Sequence, residues 1–312
     1  MNQGAAIVSD KQLGDTLLLQ PSAEFLARKL GKPTALYVRE AFQPLVELMP
    51  GCCLEMGKGC RYEQVWSTSW SSRAVWQAFR LRTRARTLIV NKPRHVRWWY
   101  RLLFHSIRLE PPSAEYWARY FWRVVSGLPE ADFVPPRLEA PPAGWRHSEL
   151  PNNKFVLVNP TAAWQRKFWG TSQWAEFAAR LARLQPELAI VIAGGGSERE
   201  IAHCQEIVNG ITGSGPVVNL AGKTSLQQYL HALSAASAVA CVDGAASHLS
   251  QAFGVPALTL FGPTHDGKWH WPTPQHVSLA ARNYNATGAY GPASDIPVDA
   301  AWEAFSSIFR TD

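Results

Sequence analysis

The chain has 312 residues, and 46% of them are hydrophobic, so it can build sizeable cores and is not globally disordered. This length suits two domains of about 150 residues each. The formal net charge is +7, and the excess lies entirely in the first 150 residues, which hold 21 basic and 13 acidic side chains against 10 and 11 in the remainder. This excess of positive charge favours an anionic partner: nucleic acid, a lipid surface or an acidic glycolipid.

The sequence also indicates the compartment. No run of about 18 apolar residues is present, so we expect no transmembrane helix. The first fifteen residues lack a basic region followed by an apolar one, which favours a cytoplasmic location over secretion. The five cysteines show no CxxC spacing and predict reduced thiols. A metal site at Cys52, Cys53 and Cys60 is the weaker alternative, because no nearby histidine completes a ligand set; we therefore predict no metal site.

The first half begins as an α/β domain. A short apolar strand at Ala5–Val8 precedes a polar turn, a helix from about Thr16 and a second strand at Ala35–Val38. Beyond Cys60 the pattern of apolar and polar residues in the first half does not predict clear helices or strands.

A basic segment follows, with no acidic residue between Glu63 and Glu110. Within residues 94–108 the spacing places Arg94, Arg97 and Arg101 on one face of a predicted helix and apolar residues on another. Two interpretations stay open: the apolar face packs on its own domain, or the helix lies on an anionic membrane surface. No helix-turn-helix, RNP or zinc-finger pattern accompanies the charge, so we expect no nucleic-acid partner.

A proline-rich segment, Pro135–Pro151, predicts the linker between domains 1–150 and 151–312. After it, short apolar strands alternate with helices, which is typical of a parallel sheet covered by helices. The fold class predicted is therefore α/β, with two doubly wound domains that bind ligands at the carboxyl ends of their strands, in a cleft. The last helix is a candidate to pack back on the first domain. The predicted elements of the second half are the strands 155–158, 188–193, 238–242 and 257–261 and the helices 174–184 and 247–253.

Three loops after strands carry residues suited to chemistry. In the first, Gly14 permits a tight turn, and Asp15 is either a helix N-cap or a general base. In the second, Thr161 and Lys167 would contact a phosphate, unless this is only a solvated basic loop. In the third, residues 243–248 open a helix whose free N–H groups suit a pyrophosphate, with His248 one turn in; a well-capped helix with a structural histidine is the alternative.

Together these loops resemble glycosyltransferase family 9, the ADP-heptose:lipopolysaccharide heptosyltransferases. Four ordered segments carry the resemblance: Leu13-Gly14-Asp15 with Pro21; Lys167-Phe168-Trp169 with Trp174; Asn219 to Leu226; and Asp243 to His248 with the following Gly254-Val255-Pro256 and Phe261-Gly262-Pro263-Thr264.

The resemblance implies a GT-B fold and an inverting, metal-independent transfer of heptose from ADP-heptose, which is a substrate and not a cofactor. Asp15 would be the base, and Lys167 would hold the diphosphate and stabilise the leaving group. Gly14 and the basic residues Arg94, Arg97 and Arg101 would face an acidic lipopolysaccharide inner-core acceptor, on a peripheral enzyme at the cytoplasmic face of the inner membrane. The remaining donor-binding residues would be Thr161, Ala162, Asn219, Asp243, Gly244, Ala245 and His248.

Two positions depart from the family pattern. Gly244 and Ala162 lack the hydroxyl that relatives carry there, although backbone N–H donors survive such changes. Two alternatives therefore stay open: a member that uses another nucleotide sugar or acceptor, and a catalytically silent protein that binds a sugar nucleotide or glycolipid.

Overall fold

The computed structural model describes residues 4–54, 60–110, 115–213 and 215–309. The chain forms two compact units, Met1–Glu139 and Ala140–Asp312. Segment 140–150, predicted to belong to the first domain, thus lies in the second unit. It is held there because the turn Ala143–Trp145 packs on the helix Leu226–Ala235, and Arg146 donates to the carbonyls of Leu150 and Pro151, both at 2.7 Å.

The first unit contains a six-stranded parallel sheet in the order β3-β2-β1-β4-β5-β6. All of β1 and β2 is buried, as expected for central parallel strands. The strands are β1 (Ala5–Val8), β2 (Thr34–Tyr37), β3 (Cys52–Cys53), β4 (Arg61–Ser67), β5 (Arg82–Val90) and β6 (Ser106–Leu109). The α-helices are α1 (Leu13–Leu17), α2 (Gln20–Leu30), α3 (Gln43–Glu47), α4 (Ser72–Arg80), α5 (Tyr100–Leu103) and α6 (Trp117–Ser126).

The second unit repeats this topology with the order β12-β11-β10-β7-β8-β9, again parallel. The helix Val298–Ile308 packs on the helix Thr171–Leu184 and on the strands Ala257–Phe261 and His276–Ala280 of its own unit. The strands are β7 (Phe155–Asn159), β8 (Ala189–Ile192), β9 (Val217–Asn219), β10 (Ala238–Val242), β11 (Ala257–Phe261) and β12 (His276–Ala280). The helices are α7 (Thr171–Leu184), α8 (Glu198–Gly210), α9 (Leu226–Ala235), α10 (Ala245–Ala252), α11 (Asp266–Trp269) and α12 (Val298–Ile308).

Both sheets therefore have the strand order 3-2-1-4-5-6 of a doubly wound α/β fold. The order reverses between β1 and β4 in the first unit, and between β7 and β10 in the second. Ligands of such sheets bind outside the carboxyl ends of the strands at this reversal. The loops after β1, β4, β7 and β10 are thus the positions where the topology favours a site.

The helix predicted over residues 94–108 is wrong. Only α5 is α-helical there, and Ser106–Leu109 instead forms β6, which pairs with Thr87–Val90 of β5. The physical reason is tertiary: the open edge of β5 offers backbone partners, including the Arg86 carbonyl, which accepts from the His105 N–H at 2.9 Å. Arg94, Arg97 and Arg101 are all exposed, but they do not form one helical stripe.

No helix among the described residues is long and apolar enough to cross a membrane. All five cysteines are free thiols, and Cys52 and Cys53 are neighbours in β3. Burial raises the pKa of both these thiols. In the described ranges no group of three His, Cys, Asp or Glu side chains is arranged to hold a metal ion.

Candidate active site

The loops that follow β7 and β10 meet at the strand-order reversal of the second unit. Lys167, at the end of a 3-10 turn in the first loop, places its Nζ 2.6 Å from Oδ2 of Asp243, which follows β10. A Cβ built on Gly244 would lie 3.4 Å from the Cβ of Ala162, so the two backbones run close together. These contacts bring together four of the residues expected to bind the donor.

The Lys167–Asp243 ion pair is largely withdrawn from solvent. The side chain of Asp243 is 3% exposed and that of Lys167 is 17% exposed. The Thr264 hydroxyl donates to the same Asp243 oxygen, and the Lys167 ammonium lies 5.5 Å from the centre of the Trp164 ring. An ammonium has three donors, so it can keep its bond to Asp243 and still donate to a ligand. The pair therefore holds a partly exposed cation in a defined position.

Both ends of the β7–α7 loop are anchored, which explains why Lys167 is well placed. At the start, the Asn159 amide donates to the Thr161 carbonyl at 2.8 Å, and Tyr229 donates its hydroxyl proton to Asn159 Oδ1 at 2.7 Å. At the end, the buried indole of Trp169 donates to the Ile296 carbonyl at 2.9 Å and packs edge-on against Trp174. Because both ends of the loop are fixed, the backbone that carries Lys167 is held in place between them.

The side chain of Thr161 points inward. Its hydroxyl oxygen is buried and has no hydrogen-bond partner among the described residues. A Cβ built on Gly194 would lie 2.8 Å from this oxygen, so the glycine leaves room for the threonine between the ends of β7 and β8. The hydroxyl is therefore not presented to solvent, and Thr161 as a whole is buried.

Helix α10 begins directly after the Asp243 position. Gly244 is its N-cap and no side chain caps the helix, so the first N–H groups are not satisfied by a capping side chain. Ser247 turns its hydroxyl inward to Thr259, at 2.8 Å, and His248 is buried. The positive end of the helix dipole thus lies beside the Lys167–Asp243 pair.

Asn219 is not part of this group. It ends β9, two strands away from β7 in the sheet. Its side chain accepts from the Ala221 N–H at 3.1 Å and donates to Gln205 at 3.2 Å, which stabilises the turn after the strand.

In the first unit, Asp15 lies in the first turn of α1 and is half-buried. Gln12 occupies the N-cap position, so the alternative in which Asp15 is the N-cap is wrong. Within the described ranges the Asp15 carboxylate makes no hydrogen bond or ion pair. It is therefore available to accept a proton. Gly14 is buried and its carbonyl accepts from the Leu18 N–H at 3.1 Å.

A polar network at the ends of β1 and β4 went unnoticed in the sequence. The Asp10 N–H donates to the Ser69 hydroxyl at 3.0 Å, Ser71 donates its hydroxyl proton to the Asp10 carboxylate, and Arg39 donates to the Asp10 carbonyl at 2.7 Å. The Lys11 ammonium lies 5.6 Å from the ring of Trp70 and 4.7 Å from the ring of Trp117. The run Ser67-Thr68-Ser69 is the sequence signal for this network, but its position at a strand end is visible only once β4 is known.

The fold matches solved structures over nearly their whole lengths. The family 9 glycosyl transferase of Veillonella parvula has a TM-score of 0.79 at 17% identity, covering 99% of this chain and 98% of that one. The ADP-heptose lps heptosyltransferase II of E. coli has a TM-score of 0.75 at 18% identity, covering 98% of both. These likenesses, with the two parallel six-stranded sheets, define a protein of the GT-B fold class.

The model of glycosyltransferase family 9 (heptosyltransferase) matches residues 61–289, which is well over half of the chain. The chain belongs to this family, and the predicted resemblance is confirmed. A curated relative, the lipopolysaccharide heptosyltransferase 3 of Escherichia coli, is 29% identical over 137 residues. That match covers 41% of this chain and 39% of the relative, so the chain matches about two fifths of the relative's length.

Proposed function

We propose that this protein transfers a heptose from ADP-heptose to an acidic acceptor of the lipopolysaccharide inner core, with inversion and without a metal ion. The observation that carries the proposal is the Lys167–Asp243 pair beside the first turn of α10. Family membership supports the reaction class, and the E. coli protein of similar fold is an ADP-heptose lps heptosyltransferase.

The donor diphosphate is assigned to this pair and to the helix start. Lys167 supplies a fixed cation, and backbone N–H groups at Ala162, Gly244 and Ala245 supply donors without hydroxyl side chains. His248, one turn into α10, completes the group; Asp243 acts by holding Lys167, and Thr161 is assigned on the resemblance alone. Asn219 is assigned to the ribose on the resemblance alone. Hydrogen bonds to a charged phosphate are stronger than neutral ones, so backbone donors can serve here.

The reaction proceeds by direct displacement. Asp15 takes the proton of the acceptor hydroxyl as its oxygen attacks the anomeric carbon. The bond from that carbon to the diphosphate oxygen breaks on the opposite face, and its electron pair leaves with ADP. Attack opposite the leaving group inverts the anomeric centre. Lys167 and the positive end of α10 stabilise the charge on the leaving diphosphate, the work that a metal ion does in other transferases.

The acceptor is assigned to the first unit, which carries the positive charge. Gly14 lies beside the proposed base, and the exposed Arg94, Arg97 and Arg101 suit phosphate or carboxylate groups of an acidic core sugar. An acceptor anchored in lipid favours a cytoplasmic protein that works at the inner face of the membrane.

The missing hydroxyls at Gly244 and Ala162 favour a second candidate, in which the donor is another nucleotide sugar or the site binds without turnover. ADP release from ADP-heptose and a delipidated core acceptor tests the assignment. We expect release that is lost in Asp15→Asn by a factor of about 10²–10⁴ while ADP affinity persists. The exposed Asp132→Asn is the matched control. ADP binding without release from any core acceptor would favour the second candidate.

A further inference from the structure

The first unit exposes several large apolar side chains between Trp76 and Leu109. Trp98 is 78% exposed and Leu102 is 76% exposed, on and just before the short helix α5. Such exposure costs free energy in water and, when contiguous, marks a surface that meets another apolar phase. The exposed members within this part of the chain are Trp76, Phe79, Trp98, Leu102 and Leu109.

Some of these side chains pack against rings of the same unit, and others line a groove. On α4, Trp76 packs edge-on against Phe79, with ring centroids 5.6 Å apart. The ring centroids of Trp76 and Trp99 are 6.5 Å apart. The neighbouring Trp98 lines a shallow groove of about 720 Å³ that runs to the edge strand β6. The groove is lined by Pro93, Val96, Trp98, Arg101, Phe104, His105, Ile107 and Leu109.

Cations without an ion-pair partner among the described residues occur along the same segment of the chain. No acidic residue occurs between Glu63 and Glu110, and Glu63 itself pairs with Arg84 at 3.7 Å. Arg86 is buried and does not contribute to the surface. The remaining basic side chains of the segment are exposed and form no ion pair within the described ranges: Arg73, Arg80, Arg82, Lys92, Arg94, Arg97, Arg101 and Arg108. We call these cations and the five exposed apolar residues the basic-aromatic patch.

We propose that the basic-aromatic patch docks on an anionic lipid bilayer, with Trp98 and Leu102 inserted at the interface and Arg97 and Arg101 on headgroup phosphates. Charge complementarity selects an anionic surface. Leu102, an exposed aliphatic residue four positions after the exposed Trp98, selects a bilayer over nucleic acid, because a bilayer offers an apolar interior just below its charges. Bilayer docking at this patch rests on the membrane-surface location in the proposed function, but vesicle binding can be measured without turnover.

The experiment measures binding of the full chain to vesicles of phosphatidylethanolamine with phosphatidylglycerol, and to vesicles of phosphatidylcholine alone. We expect binding to the anionic vesicles only, weakened by salt. The double variant Trp98→Ala/Leu102→Ala should bind at least tenfold more weakly, since it removes two insertable side chains. Arg97→Gln and Arg101→Gln should each weaken binding about fivefold, which corresponds to about 1 kcal/mol per basic residue near an anionic membrane.

The controls are matched in exposure and lie in the second unit: Leu184→Ala and Arg183→Gln. They should bind like the unaltered protein, and the Trp98/Leu102 variant should keep its ADP affinity and melting temperature. Equal binding by patch and control variants, no vesicle binding, or preferential binding to duplex DNA would overturn the proposal. Vesicle binding in a protein that releases no ADP would contradict only the proposed activity.

Discussion

Lys167 and Asp243 lie 2.6 Å apart at Nζ and Oδ2, although they belong to loops after two different strands. The contact exists because β7 and β10 are neighbours in the sheet, so that their carboxyl ends share one edge. Thr264, after β11, donates to the same carboxylate. Three loops thus determine the position of one ammonium group.

Removal of that ammonium tests its assignment to the diphosphate. We expect Lys167→Met to weaken ADP binding roughly tenfold to a hundredfold, because a hydrogen bond to a charged group contributes about 1.5–3 kcal/mol. Isothermal calorimetry measures the change, and the exposed Lys154→Met is the control. Asp243→Asn tests the position of the Lys167 ammonium separately from its charge, since this variant keeps the ammonium but lacks the carboxylate that holds it. Unchanged ADP affinity in Lys167→Met would refute the role.

The buried Arg86 is a structural cation. Its guanidinium donates to the carbonyls of Ala78, Phe79, Leu81 and Leu103, at 2.8–3.1 Å. Burial lowers the pKa of this guanidinium, yet an arginine stays charged near neutral pH. Arg86→Met would leave four carbonyls without this donor.

We therefore expect Arg86→Met to lower the free energy of unfolding of the first unit by at least about 3 kcal/mol. Urea denaturation measures this, with the exposed Arg82→Met as the control from the same strand. A loss no larger than that of the control would show that the four hydrogen bonds are not stabilising.

Buried histidines make the second unit sensitive to acid. Desolvation lowers the pKa of His270 to about 4, and it lowers the pKa of His276 as well. In the unfolded chain each imidazole binds a proton with a pKa of about 6.5, whereas in the folded unit the pKa is lower, so that the proton binds only in more acidic solution. Acidification therefore leaves the free energy of unfolding of this unit nearly unchanged above pH 6.5 and lowers it as the pH drops from 6.5 towards 4.

For His270 alone the loss at pH 5 is about 2 kcal/mol relative to pH 7. Melting temperatures across this range check the sign, and His270→Asn should flatten the dependence. Stability that rises on acidification, or a profile unchanged in His270→Asn, would contradict this account.

Chelation tests whether the cation of Lys167 and the start of α10 suffice for the leaving group. ADP release should persist after dialysis against EDTA and should not rise on adding Mg²⁺, Mn²⁺ or Fe²⁺, because the positive charge is supplied by the chain. ADP release by Asp15→Asn under the same conditions gives the background rate. Activity lost on chelation and restored by one ion would establish a metal requirement.

Much of the architecture could be predicted from residue patterns. The strands Ala5–Val8, Ala238–Val242 and Ala257–Phe261 have the bounds predicted, because central parallel strands are buried on both faces and appear as short apolar runs. Other boundaries move by a few residues: α7 begins at Thr171, and α10 covers Ala245–Ala252. Helix formation near Thr16 is confirmed, but α1 starts at Leu13 and α2 follows at Gln20.

The segment 94–108 shows where pattern alone failed. Its apolar spacing fits a helix, yet a strand edge outside the segment recruits Ser106–Leu109 into the sheet. Local periodicity carries no information about an unpaired edge elsewhere in the chain. The burial of Arg86 is likewise not visible in the local sequence, because it depends on packing by residues elsewhere in the chain.

By itself, the sequence determined the fold class, the family and the loops that bear the candidate chemistry, because apolar runs and short motifs are local properties. Only the tertiary structure decided which of those loops meet. It joined Lys167 to Asp243, left Asn219 at another strand, and turned the Thr161 hydroxyl inward. Those outcomes depend on strand order and on burial, which arise from contacts between residues far apart in the chain.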